Sequence, residues 1–238
     1  MKTDLIAFGV HPDDVEISAA GTLLAHLASG KTVGIIDLTR GELGTRGTAA
    51  TRDKEAAEAG KILGVHFREN LEMKDGFFKN DEQHQLEIIK RIRKYRPEIV
   101  LCNAIFDRHP DHGRSSNLVS DACFLSGLVK IETGYEEKKQ QAWRPKAVYH
   151  YTQDRYIKPD VVVDISEFIL KKEEALRAYK TQFHDPESNE PQTYISSPEF
   201  FQSIRSRNAE FGRQIGVSFA EPFTAERFIG VKNFFDLI

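Results

Sequence analysis

The chain has 238 residues, 40% of them hydrophobic and 29% charged, with a formal net charge of −3. That length can bury one large core, the ordinary composition excludes a low-complexity chain, and the slight negative charge gives no basic footprint for nucleic acid, leaving a small molecule as the expected partner. Two lone cysteines, Cys102 and Cys123, read as buried free thiols, and without a signal h-region or a run of roughly 18 apolar residues the expectation is a soluble, cytoplasmic protein with no membrane partner.

In chain order, 4–10 reads as a fully buried strand and Val15 to Ser29 as a helix, with Ile17, Ala20, Leu24 and Leu27 on one face and Gly30 as its stop. Residues 32–38 form a second buried strand. A polar loop, TRGELGTRGTAA, leads into a helix over 51–63, with Thr51 as N-cap and Gly64 as terminator. A third strand over 65–71 precedes a helix that ends before Pro97. EIVLCN, 98–103, is the fourth strand, and a loop containing RHPDHG feeds a helix from Arg114 to Lys130. The charged stretch 132–145 reads as a surface excursion. Strands AVYHY and DVVVDI, helices near 166–182 and 199–215, and a last strand VSFAEPF complete the pattern. This alternation predicts an α/β, Rossmann-like, doubly wound and mainly parallel sheet flanked by helices, with the C-terminal part extending one domain over 1–238.

Two motifs carry chemistry. HPDD follows the first strand and HPDH the fourth. In a sheet of order 3-2-1-4 these strands are neighbours, so both loops open into one crevice at the carboxyl ends. Alone, HPDD also reads as a turn in which Asp13 or Asp14 caps the next helix. Together the two loops read as a metal site: His11 and Asp14 can face one point, and one histidine of HPDH closes a His/Asp/His set. That set leaves a position for water and a second carboxylate, Asp13, to act on it. Zinc suits such donors, and iron(II) accepts them too.

HPDD with HPDH, extended by FGVHPDDVEI, GIIDLTRGELGTRGT, TRDKEAA, VVDIS and IGVSFAEPF, resembles the zinc-dependent de-N-acetylases of the LmbE and PIG-L superfamily. The flanking segments look most like its bacillithiol-biosynthesis branch, which deacetylates N-acetyl-α-D-glucosaminyl L-malate. The resemblance implies His11, Asp14 and His112 as metal ligands and Asp13 as general base. It also implies a protonated His109 beside the oxyanion, supported by Asp111, and a homo-oligomer. Glu16 has no assigned role. Arg46 and Arg52 in the glycine-bearing loop, Arg108 before HPDH, and Tyr194 are candidates for holding an amino-sugar substrate. His26, His66, His84, His150 and His184 lack a paired motif and read as structural or surface residues. The apolar tail VKNFFDLI is expected to dock on its own sheet or on another subunit.

Two alternatives remain at this level. Another amino-sugar deacetylase or an amidase of thiol conjugates would use the same mechanism. A receiver-like signalling module would bind magnesium through Asp13 and Asp14 and accept phosphate on Asp37, but histidines suit a transition metal better.

Overall fold

A computed structural model describes residues 2–237. The elements run β1 (Leu5–Gly9), α1 (Asp14–Ala28), β2 (Val33–Thr39), α2 (Ala49–Leu63), β3 (Phe67–Met73), α3 (Glu82–Tyr95), β4 (Ile99–Cys102) and α4 (Pro110–Leu125). A two-residue hairpin pair follows, β5 (Gly134–Tyr135) and β6 (Lys138–Lys139). Then come β7 (Ala147–Tyr151), β8 (Val161–Asp164), α5 (Ile169–Arg177), α6 (Pro198–Gln214) and β9 (Ala220–Ala225).

Seven strands form one sheet of order β3-β2-β1-β4-β7-β9-β8. The first five are parallel, whereas β9 runs antiparallel to both β7 and β8. The fold is therefore α/β with a mixed, mostly parallel sheet, and the C-terminal strands do extend it.

Side-chain alternation explains why β1 is apolar throughout. Ile6 and Phe8 join a core with Ile88 and Ile92 of α3 and Leu118 and Val119 of α4. Leu5 and Ala7 point into the opposite core, with Val15, Ala19 and Leu23 of α1. Helices cover both faces, so neither set of alternate side chains meets water. A third cluster joins Ile17, Ala59, Leu176, Tyr179 and Ile204, fastening α1, α2, α5 and α6 together on one side.

Several boundaries differ from the sequence reading, each for a local reason. Helix α4 begins at Pro110 rather than Arg114, because proline is preorganised for the first helical position and the His109 ring accepts the Asp111 amide as N-cap. Thr48, not Thr51, caps α2; the two threonines exchange hydrogen bonds, Thr51 standing where a glutamate or glutamine completes the usual box. Helix α5 stops at Arg177, and the last strand starts at Ala220. In the tail, Phe234 and Phe235 are exposed and not docked on the sheet. Its final residue, Ile238, lies outside the described residues.

Candidate metal and catalytic site

Strands β1 and β4 pair directly, Leu5 with Ile99 through Ala7 with Leu101, so the loops that follow them meet at the carboxyl edge. There they line a cleft of about 260 Å³ together with parts of the 43–44, 75–76, 153–154 and 195–207 segments.

Asp14 sits at its base, 3% exposed. Its Oδ2 accepts the amides of Val10 (3.0 Å) and His11 (2.9 Å) and the Asn103 Nδ2 (2.9 Å). Its Oδ1 accepts Gln153 Nε2 at 2.9 Å and lies 3.2 Å from His112 Nε2. Burial acts to raise the Asp14 carboxyl, but the charge and hydrogen bond of His112, with help from His11, hold it well below the usual carboxylate range. His11 donates from Nε2 to Asp75 Oδ1 at 2.9 Å, which leaves its Nδ1 3.8 Å from Asp14 Oδ2. His112 donates from Nδ1 to Asp107 Oδ2 at 2.5 Å, which turns Nε2 toward Asp14 Oδ1 as the ring nitrogen available to a metal once it is deprotonated. Two imidazole nitrogens thus flank one carboxylate, each ring fixed by an outer carboxylate. That N, N, O donor set fits zinc or iron(II). His109 also belongs to the cluster: donor atoms of His11, His109 and His112 lie within 4.8 Å of one another, as do those of His11, Asp75 and Asp111.

Asp13 holds the N-cap position of α1, yet makes no capping bond, which removes the capping reading of HPDD. Its φ of 145° is a conformation that L-residues avoid. The carboxylate is buried beside Arg52, whose Nη2 donates to Asp13 Oδ2 at 3.1 Å. Burial pushes its pKa up to about 7, against the opposing pull of Arg52. A carboxylate poised there exchanges protons readily near neutral pH.

His109 departs from expectation. Burial, with the charges of His11 and His112, lowers its pKa below the usual imidazole value. Its Nδ1 accepts the Asp111 amide at 3.3 Å, so a neutral ring carries its proton on Nε2. The Asp111 carboxylate does not support the ring as expected: it accepts the Gly76 amide (2.9 Å) and Arg114 (2.5 Å) instead.

A family model described as GlcNAc-PI de-N-acetylase, PIG-L, matches residues 6–123. The diacetylchitobiose deacetylase of Thermococcus kodakarensis is 31% identical over 188 residues, spanning 73% of this chain and 67% of that protein. The chain belongs to the PIG-L/LmbE family of deacetylases. A protein of Bacillus anthracis described as a probable N-acetyl-α-D-glucosaminyl L-malate deacetylase 2 is 28% identical over 186 residues, spanning 73% of this chain and 78% of that one. The crystal structure of a conserved Thermus thermophilus protein, TT1542, superposes with a TM-score of 0.85 at 35% identity, covering 97% of this chain and 98% of that one. Among the described residues no helix of this deacetylase-family chain is long and apolar enough to cross a membrane.

The arginine and tyrosine candidates separate. Arg52 reaches the cleft, but both of its terminal nitrogens are committed, Nη2 to Asp13 Oδ2 and Pro12 O (2.8 Å) and Nη1 to Gly41 O (3.3 Å), with only the buried Nε unpartnered among the described residues, so it holds the base in place rather than offering a free fork to a substrate. A Cβ on Gly41, whose φ is 62°, would sit 1.9 Å from Arg52 Nη1, so glycine is needed there twice over. Arg46 lies outside the cleft; it binds Ser188 (2.8 Å) and Glu190 (3.5 Å), pinning the glycine-bearing loop to the 183–190 segment. Arg108 does line the cleft, 3.3 Å from Asp154 and stacked 4.4 Å over Tyr194. Tyr194 is a rim residue, 56% exposed, its hydroxyl donated to Asp154 at 2.8 Å.

Glu16 and Asp37 are structural. Arg68 grips Asp37 through Nε (2.7 Å) and Nη2 (2.9 Å) and reaches Glu16 at 2.5 Å, while Tyr179 donates to Glu16 at 3.1 Å. Asp37 is therefore unavailable as a phosphate acceptor, and the receiver-like reading falls. His150 is buried, bound to Glu226 (2.9 Å) and Ser116 (2.9 Å), in keeping with a structural part. No sequence motif points to Asp75, Gln153 or Arg207 as members of the cleft. Asp107, just upstream of HPDH, is the one partner that proximity to a motif could have signalled.

Proposed function

We propose that this protein hydrolyses the N-acetyl group of N-acetyl-α-D-glucosaminyl L-malate, releasing acetate and glucosaminyl malate, with a divalent metal ion held by His11, Asp14 and His112. The observation that carries the reading is the pairing, on one cleft floor, of that donor set with a buried Asp13 held near neutral pKa. Bound there, zinc or iron(II) supplies Lewis acidity toward the acetyl carbonyl and acidifies water toward neutrality.

The chain's own residues do the rest. Asp13, ionised, takes the proton from the attacking water and afterwards delivers it to the departing sugar amine. Arg52 fixes the Asp13 carboxylate on one side, so the other oxygen remains for the water. Neutral His109 presents Nε2–H as a hydrogen-bond donor to the oxygen that gains negative charge. Asp75 and Asp107 keep His11 and His112 in the tautomers that leave a ligand nitrogen free.

The malate conjugate is favoured over a neutral sugar because Arg108 and Arg207 both line the cleft. The similarity to the Bacillus anthracis protein supports the same choice. A second reading, deacetylation of diacetylchitobiose, has the similarity to the Thermococcus enzyme behind it. Amine release from the two substrates by metal-loaded enzyme separates them. A preference for the malate conjugate is expected, and a preference for diacetylchitobiose would replace the first reading with the second.

A further inference from the structure

Arg207 stands on α6, among cleft-lining residues contributed by the C-terminal part of the chain. Its Nε and Nη2 are shielded from solvent and have no hydrogen-bond partner among the described residues. Two shielded, unmatched donors on one guanidinium are costly unless something completes them.

The same two atoms are the ones by which this protein grips carboxylates elsewhere. Arg68 binds Asp37 through Nε and Nη2, and Arg40 binds Asp53 through the same pair. In both, a planar fork meets two carboxylate oxygens. Arg207 has that fork and lacks the acid.

The acids whose charges reach it are engaged with other groups. Asp154 takes Tyr194 and pairs with Arg108. Asp107 takes His112 and the amides of Asp154 and Arg155. Glu221 takes Lys172 and the amides of Gly21 and Thr22. None of these acids completes the two orphaned donors, and the cleft that Arg207 lines is the side from which an acceptor can come.

We infer that Arg207 is the specificity-determining residue of this cleft, receiving a carboxylate carried by the aglycone of the N-acetylated sugar. This rests on the deacetylase reading above and narrows it to anionic substrates. Arg108 is the weaker candidate for that task, since it is exposed and already paired with Asp154.

The test compares wild type, Arg207→Met and Arg207→Lys on N-acetylglucosaminyl malate and on its neutral dimethyl ester, with L-malate binding followed by calorimetry. Loss of a charge-assisted pair is expected to raise KM for the diacid about ten- to hundredfold with kcat nearly unchanged. The ester should be turned over alike by all three proteins. Arg207→Lys keeps the charge without the fork and should fall between the other two; if Arg207→Met does not fold, Arg207→Lys against wild type carries the comparison. Equal losses on diacid and ester, or no change in KM for the diacid, would overturn the assignment. If wild type hydrolyses neither compound, the malate-conjugate reading fails by itself, and L-malate binding then decides: affinity that depends on Arg207 upholds the carboxylate site, and affinity that does not refutes it.

Discussion

Asp13 combines three unfavourable features that make sense only together: a φ of 145°, near-complete burial and a carboxyl group raised to about 7. Backbone strain of this kind costs about 1–3 kcal/mol and persists where surrounding structure imposes it. Asp13→Gly and Asp13→Ala both remove the carboxylate and both leave Arg52 without it, so the difference between them reports the backbone. The glycine variant is expected to be the more stable by about 1–3 kcal/mol in urea unfolding; equal stability would mean that the backbone is unstrained. One bond further out, Asp107 orients His112. Asp107→Asn is expected to weaken metal binding about 10–100-fold in chelator competition, whereas unchanged affinity would remove Asp107 from the metal's support.

At the scale of elements, α1, α5 and β9 are joined by a buried polar junction rather than by apolar contact alone. Lys172 of α5 donates to Glu221 of β9 at 2.6 Å, both side chains fully buried, and Glu221 also accepts the Gly21 (3.0 Å) and Thr22 (2.7 Å) amides of α1. Gly21 lets this junction close, since a Cβ there would meet Ile165 at 2.7 Å. Removing one member of a buried pair leaves the other charge uncompensated, at a cost of about 3–5 kcal/mol. Lys172→Ala is expected to lose that much in chemical unfolding, and a loss below about 1 kcal/mol, the scale of an exposed pair, would show that the junction is solvated. Apolar periodicity cannot reveal this junction, because a lysine in a helix and a glutamate in a short strand both read as solvent-facing.

Across the whole molecule, what is legible in the sequence follows from local signals. Fully apolar runs mark the inner strands, and their alternation with helices implies the order that sets HPDD beside HPDH. The ligand candidates His11, Asp14 and His112 and the base candidate Asp13 come from those two motifs, and the fold brings them to one cleft. Asp75, Gln153 and Arg207 enter that cleft from distant segments with no motif around them, so only tertiary packing reveals them. Arg46 and Arg52 mislead a sequence reading for the complementary reason. An arginine in a loop offers no sign of whether a partner from elsewhere already holds it, as Ser188 and Glu190 hold Arg46 and as Asp13 holds Arg52.

The most direct test of the account is the pH dependence of amine release from N-acetylglucosaminyl malate, with metal content measured in parallel, for wild type and Asp13→Asn. Asp13 acts as base only when ionised, and its raised pKa puts that ionisation near neutrality, so wild-type kcat/KM is expected to climb through about pH 7 as the carboxyl loses its proton. Asp13→Asn is expected to keep its metal and lose turnover at every pH. An Asp13→Asn protein that retains both the metal and the wild-type acid limb would contradict the assignment of Asp13 as the base, and with it the central claim.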